Sequence, residues 1–162
     1  MILTTHSIVG AGVASLVTTN PILGFFVGFL SHYVLDAIPH WDYKLLSYEK
    51  SEDGKTENLY IGKNFYYDLL RIFRDIAFGL LITLLFLWDK NFSSFPLLFS
   101  GAIGGIMPDA LQLVYLKYKK QPLVLLHKIH NYFHTKINWK NKPLPGLLTQ
   151  IIVILIVFAL TK

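Results

Sequence analysis

The chain has 162 residues, a length suited to one domain. Apolar residues make up 53% of it and charged residues only 15%, against about 25% charged in soluble domains; together with a mean hydropathy of +0.46 this excludes a disordered chain and argues against an ordinary soluble domain. Fifteen Lys and Arg against ten Asp and Glu leave a net charge of +5, and the lack of cysteine excludes a disulfide framework, a Cys-type zinc finger and a thiol nucleophile.

In chain order, the opening residues MILTTHS carry no basic n-region, so no cleaved signal peptide is expected. Residues 7–19 form a first apolar segment, short and rich in small residues, which suits a tilted, re-entrant or internally buried helix. Asn20-Pro21 turns the chain into a second segment, 22–38, which ends at Pro39. A polar loop at 43–64 follows, with SYEKSEDGKTEN (47–58) expected to be solvated and mobile. The third segment, 66–88, closes on an uncharged run at 76–88; the fourth covers 95–117, and the fifth, 145–161, is uncharged over 151–160. Between the last two, residues 122–136 read as a short interfacial helix. A bilayer core of about 30 Å asks for about 20 helical residues, with about 17 as a lower bound; 145–161 meets this, and 66–88 and 95–117 meet it with their polar ends at an interface. The predicted fold is therefore all-α, a single transmembrane domain over 1–162 with four or five membrane helices and one interfacial helix. A soluble helical protein is the competing reading, opposed by runs without charge on any face. Pairs four residues apart (Gly10 and Ala14, Gly24 and Gly28, Gly101 and Gly105) would let helices approach closely.

If all five segments cross, thirteen of the fifteen Lys and Arg fall on the side that holds the N-terminus and both long loops. The positive-inside bias then orients that side to the cytoplasm. The same bias accounts for the basic excess, so nucleic acid is not an expected partner. All six histidines lie on that side. His32 and Asp36 share a helical face at i, i+4, and His40 and Asp42 follow directly after Pro39. Asp109 lies in the fourth segment after Pro108, and His127, His130 and His134 form one stripe at i, i+3, i+7. A charge within a membrane helix costs about 2.5–3.5 kcal/mol on insertion scales and normally marks a site. Imidazole with carboxylate is the ligand set of Zn²⁺, Mn²⁺ or Fe²⁺. The expected metal ligands from the residues themselves are His32, Asp36, His40, His127, His130 and His134. Asp109 and Asp42 are the expected catalytic groups, as ligands or general base. Zinc is the first choice of metal, with manganese or iron as alternatives, as one ion or two. His6 taken alone reads as a hydrogen-bonded interfacial histidine, and HKIHNYFH alone reads equally as an amphipathic helix on anionic lipid. Arg71 and Arg74 are candidates to hold a substrate phosphate, although an Arg71–Asp75 pair is an equal reading. Asp68 and Asp75 are expected to orient ligands from behind.

The runs THSIVGAG (5–12) and SHYVLDAIPHWD (31–42) resemble the predicted membrane-bound, metal-dependent hydrolases of bacteria. Their T-H-x-x-x-G and S-H-x-x-x-D motifs sit in or beside membrane helices, and hydrolysis is inferred for them through similarity to zinc-dependent phospholipase C. The resemblance implies that His6, His32 and Asp36 bind metal, with His40 and Asp42 as partners. The family's Pro-Asp-x-Asp element is matched only by Pro108-Asp109, since Leu111 replaces the second Asp, and its H-R-G-x-T-H-S segment is missing. The expected function is a membrane-embedded metal-dependent hydrolase of the bacterial or archaeal cytoplasmic membrane, N-terminus inside, acting on a phosphoester or ester of a lipid-like substrate. A divalent-metal transporter or metal sensor is the alternative, and haem ligation by two histidines a remoter one.

Overall fold

The structure is a computed structural model that describes residues 1–51, 57–88, 92–137, 139 and 142–162. Six helices account for most of it: α1 (Leu3–Val17), α2 (Pro21–Asp36), α3 (Lys63–Phe86), α4 (Phe95–Tyr118), α5 (Leu123–Phe133) and α6 (Pro143–Leu160). Among the described residues the architecture is all-α apart from one small hairpin. Strands β1 (Tyr48–Lys50) and β2 (Glu57–Leu59) pair antiparallel, Glu49 opposite Asn58. Part of the polar stretch expected to be a mobile loop is thus ordered, while 52–56 lie outside the described residues. Two helices, α4 and α6, are long and apolar enough by themselves to cross a bilayer.

Helix α1 is the axis of the bundle, packed against α2, α3, α4 and α6, and it is buried from Leu3 through Gly12. Its small residues explain this position. A methyl group built on Gly10 would stand 2.5 Å from the Gly101 carbonyl oxygen, and on Gly105 it would meet the His6 carbonyl. Backbones at that separation have no room for a side chain between them, which is what four-residue spacing of small residues provides. Ala11, Leu98 and Ala102 fill one side of α1, and Val9, Leu35 and Val157 fill another.

The helix ends show why boundaries shift by a few residues from the apolar pattern. Asn20 caps α2 locally, accepting from the N–H groups of Ile22 (2.8 Å) and Leu23 (3.2 Å), with Pro21 at the first helical position. Helix α1 has no such local cap. Instead Asp75, on α3, accepts from the N–H groups of Leu3 (2.7 Å) and Thr4 (3.0 Å) and from the Thr4 hydroxyl (2.6 Å). The cap comes from 71 residues away, so α1 begins four residues earlier than its apolar run, and His6 lies within it.

The surface is apolar in stripes. Ile22, Phe26, Leu30 and Val34 stand exposed at four-residue intervals along α2, and Leu148, Ile151, Ile152, Leu155 and Ile156 do so on α6. Apolar surface this extensive marks a face that meets something other than water.

Candidate metal centre

Four elements bring polar side chains to one end of α1. His6 comes from α1, His32 and Asp36 from the last turns of α2, Asp109 from α4 and His130 from α5. His6, His32 and Asp36 are at most 1% exposed, although three such groups are costly to remove from water unless partnered. The α2 pair arises from i, i+4 spacing, with His32 Nε2 3.1 Å from Asp36 Oδ2. In α4, Pro108 lies inside the helix directly before Asp109 and lacks the N–H that would bond the Gly104 carbonyl. On that turn the Gly105 carbonyl accepts a hydrogen bond from His32 Nδ1 at 2.8 Å. A carbonyl only accepts, so Nδ1 carries the proton, and in the neutral ring Nε2 turns its lone pair toward the carboxylates.

His6 Nε2 lies 3.1 Å from Asp36 Oδ1 and 4.0 Å from Asp109 Oδ2, and its ring stacks on that of His32 with centroids 4.0 Å apart. His130 Nε2 lies 3.4 Å from Asp36 Oδ2 and 3.8 Å from Asp109 Oδ1. One ligand atom from each of His32, Asp36, Asp109 and His130 falls within 4.8 Å of every other. Yet His6 Nε2 and His32 Nε2, which face the carboxylates, are buried without a hydrogen-bond partner. Close approach without hydrogen-bonding geometry is how ligand atoms converge on a common point. Asp36 is buried and the Asp109 side chain 30% exposed, and two carboxylates with oxygens within 4.8 Å of each other repel unless a cation lies between them. The donor set of imidazole nitrogens and carboxylate oxygens therefore fits a divalent ion. Burial lowers the His130 pKa to about 3 and that of His40 to about 4, keeping both rings in the neutral, ligating form.

His40 and His134 stand beside this group, their rings 5.0 Å apart, and ligand atoms of Asp36, His40 and His134 also converge within 4.8 Å. Asp42 lies at the rim, its Oδ2 3.9 Å from the Met1 amino group.

The remaining expected residues are placed elsewhere. His127 shares a helix with His130, but it stacks on Tyr115 (4.0 Å), hydrogen-bonds to Gln112 and lies 3.4 Å from Glu57; the structure does not bring it to the centre. The three-residue step from His130 turns it toward α4 and β2. Asp68 accepts from the N–H groups of Leu46 (3.1 Å) and Ser47 (2.7 Å) and from the Ser47 hydroxyl, pinning the segment after Asp42. Asp75 caps α1, so both carboxylates hold backbone where imidazole-orienting roles were expected. Arg71 makes no ion pair with Asp75; its guanidinium lies over the Tyr43 ring at 4.3 Å. Arg74 is exposed on α3.

Sequence reasoning passed over Gln150. It is 1% exposed in α6, its Oε1 accepts from Ile2 N–H and the Thr5 hydroxyl, and its Nε2 donates to the Trp41 carbonyl at 2.8 Å. A lone amide opening the apolar run 150–160 was the available signal.

A cavity of about 360 Å³ opens beside the centre between α3, α4, α5 and the segment after Asp42. Its lining joins apolar Ile72, Ile76, Ile106 and Leu113 with polar His130, Asn131 and Asp109.

No protein-family profile, curated protein or solved structure matches the chain.

Proposed function

We propose that the chain is a polytopic helical membrane protein that hydrolyses a phosphoester or related ester of a lipid-like substrate at a divalent-metal centre near the cytoplasmic leaflet. The observation that carries this reading is the convergence of His6, His32 and His130 on Asp36 and Asp109, with buried nitrogens lacking hydrogen-bond partners. An ion held there would polarise an ester or phosphoryl oxygen and supply a nucleophilic water at neutral pH.

The chain's own groups then have distinct tasks. His32, His130 and Asp36 hold the ion, with His6 at its edge. Asp109, on the cavity wall, is the carboxylate best placed to take a proton from an attacking water. The apolar lining residues Ile72, Ile76, Ile106 and Leu113 would receive the hydrocarbon part of a substrate while its polar end meets the centre. Zinc is the preferred ion by donor type. A transporter would need polar groups through the membrane depth, whereas α1 beyond Gly10 packs on Gly101 and Ala102.

The test is elemental analysis of detergent-purified protein followed by hydrolysis assays on phospholipids and phosphomonoesters. Metal bound in the wild type and lost in both His32→Ala and His130→Ala, with metal-dependent turnover of an amphiphilic ester, is expected. Bound metal without turnover on any ester removes the hydrolase part.

A further inference from the structure

The two oxygens of Asp36 face different neighbours. Oδ2 faces His32 Nε2 and His130 Nε2, while Oδ1 faces His6 Nε2 at 3.1 Å and His40 Nε2 at 4.0 Å. Asp36 accordingly belongs to two converging ligand groups, one with His32, Asp109 and His130 and the other with His40 and His134. The first group is complete without the second, so His40 and His134 are surplus to a single ion.

Both surplus rings are set for ligation. His40 Nδ1 donates to the Ile38 carbonyl at 2.7 Å, and His134 Nδ1 to the Thr135 carbonyl at 3.2 Å. Each hydrogen bond fixes the ring and leaves Nε2 as the acceptor, the arrangement by which outer carbonyls orient metal-binding imidazoles. Positive charge already gathers here, since the Met1 amino group lies 2.8 Å from His40 Nε2 and 3.3 Å from Asp36 Oδ1. A divalent cation would compete with it for the same donors. The position is reachable, because His40 and His134 line a second cavity of about 250 Å³ together with Thr135, Lys136 and Trp139.

We infer that the chain binds a second divalent cation through Asp36 Oδ1, His40 and His134, with Asp36 bridging it to the first. The inference rests on the metal-centre reading above. Two imidazoles and one shared carboxylate oxygen suit Zn²⁺ or Mn²⁺ and leave coordination positions open to water or substrate oxygen. Two ions bridged in this way would clamp both the attacking and the leaving oxygen of a phosphoester.

The experiment uses the full chain in detergent, loaded with Zn²⁺ and desalted, with metal counted by elemental mass spectrometry. Two equivalents are expected in the wild type, one in His40→Gln and one in His134→Gln. His134 is only half-buried, so its replacement leaves the bundle core untouched. Wild-type protein loaded with Mn²⁺ provides a second readout without any substitution, an exchange-coupled pair in its electron paramagnetic resonance spectrum. A single equivalent in the wild type, lost in His130→Ala but indifferent to His40 and His134, overturns the second ion and leaves the first. Two equivalents that persist in both glutamine variants also overturn it. No metal at all in the wild type removes the whole centre.

Discussion

Asp36 is the residue through which the other ligands are related, since histidines from α1, α2, α5 and the segment after α2 all face its two oxygens. Its own backbone carbonyl is held by the Thr135 N–H at 2.7 Å, which ties α2 to the end of α5. Asp36→Asn is expected to abolish metal binding, read by elemental analysis, because an amide is a poor ligand and cannot neutralise the cation. His127→Ala provides the contrast. It sits one helical step from His130, yet its replacement is expected to leave metal content unchanged, since its contacts are Tyr115, Gln112 and Glu57. The neutral rings of His40 and His130 also predict a pH dependence. Burial depresses both pKa values, to about 4 and about 3, below the unfolded value of about 6.5. The unfolded chain therefore takes up protons first as the pH falls. Stability of chelator-treated protein should be full above about 6.5 and decline from there toward about 4 and below. Thermal denaturation at a series of pH values checks this, and a midpoint flat between 7 and 4 would contradict it.

At the scale of elements, the centre depends on two devices that set α1. Asp75 fixes its start through three hydrogen bonds to Leu3 and Thr4. Loss of a helix cap costs about 0.5–2 kcal/mol, so Asp75→Ala should lower the denaturation midpoint. It should also weaken metal binding, because His6 lies only two residues beyond the capped turn. The small-residue contacts set the depth and distance of α1 from α4. Overpacking of a tight contact costs about 1–3 kcal/mol; Gly10→Val, directed at the Gly101 carbonyl, should destabilise by that order in a denaturation assay. Metal affinity should fall with it, since the same helices carry His6 and Asp109.

For the whole molecule, the proposed function would turn the exposed Ile, Leu and Phe stripes to lipid, with the candidate ligands collected at one end. Cysteine is absent, so single introduced thiols report topology without background. Lys119→Cys is expected to react with an impermeant maleimide only from the cytoplasmic side, and Lys162→Cys only from the opposite side. Labelling of both from one side would contradict an odd number of crossings between them.

The amino-acid sequence by itself determined the helical class, the approximate extents of six helices and the candidacy of His32, Asp36, His40, Asp109, His130 and His134. These are legible because apolar runs, Pro and Asn punctuation and i, i+4 spacing are local properties of the chain. The tertiary structure alone decided which histidines share a carboxylate. His127 and His130 are equivalent in the one-dimensional stripe, and only the packing of α5 against α2 and α4 separates them. The Asp75 cap, the Gln150 anchor and the Asp68 clasp of residues 46–47 were hidden for the same reason. Each joins groups 21 or more residues apart, and no local pattern encodes a partner chosen by how helices come to rest against one another.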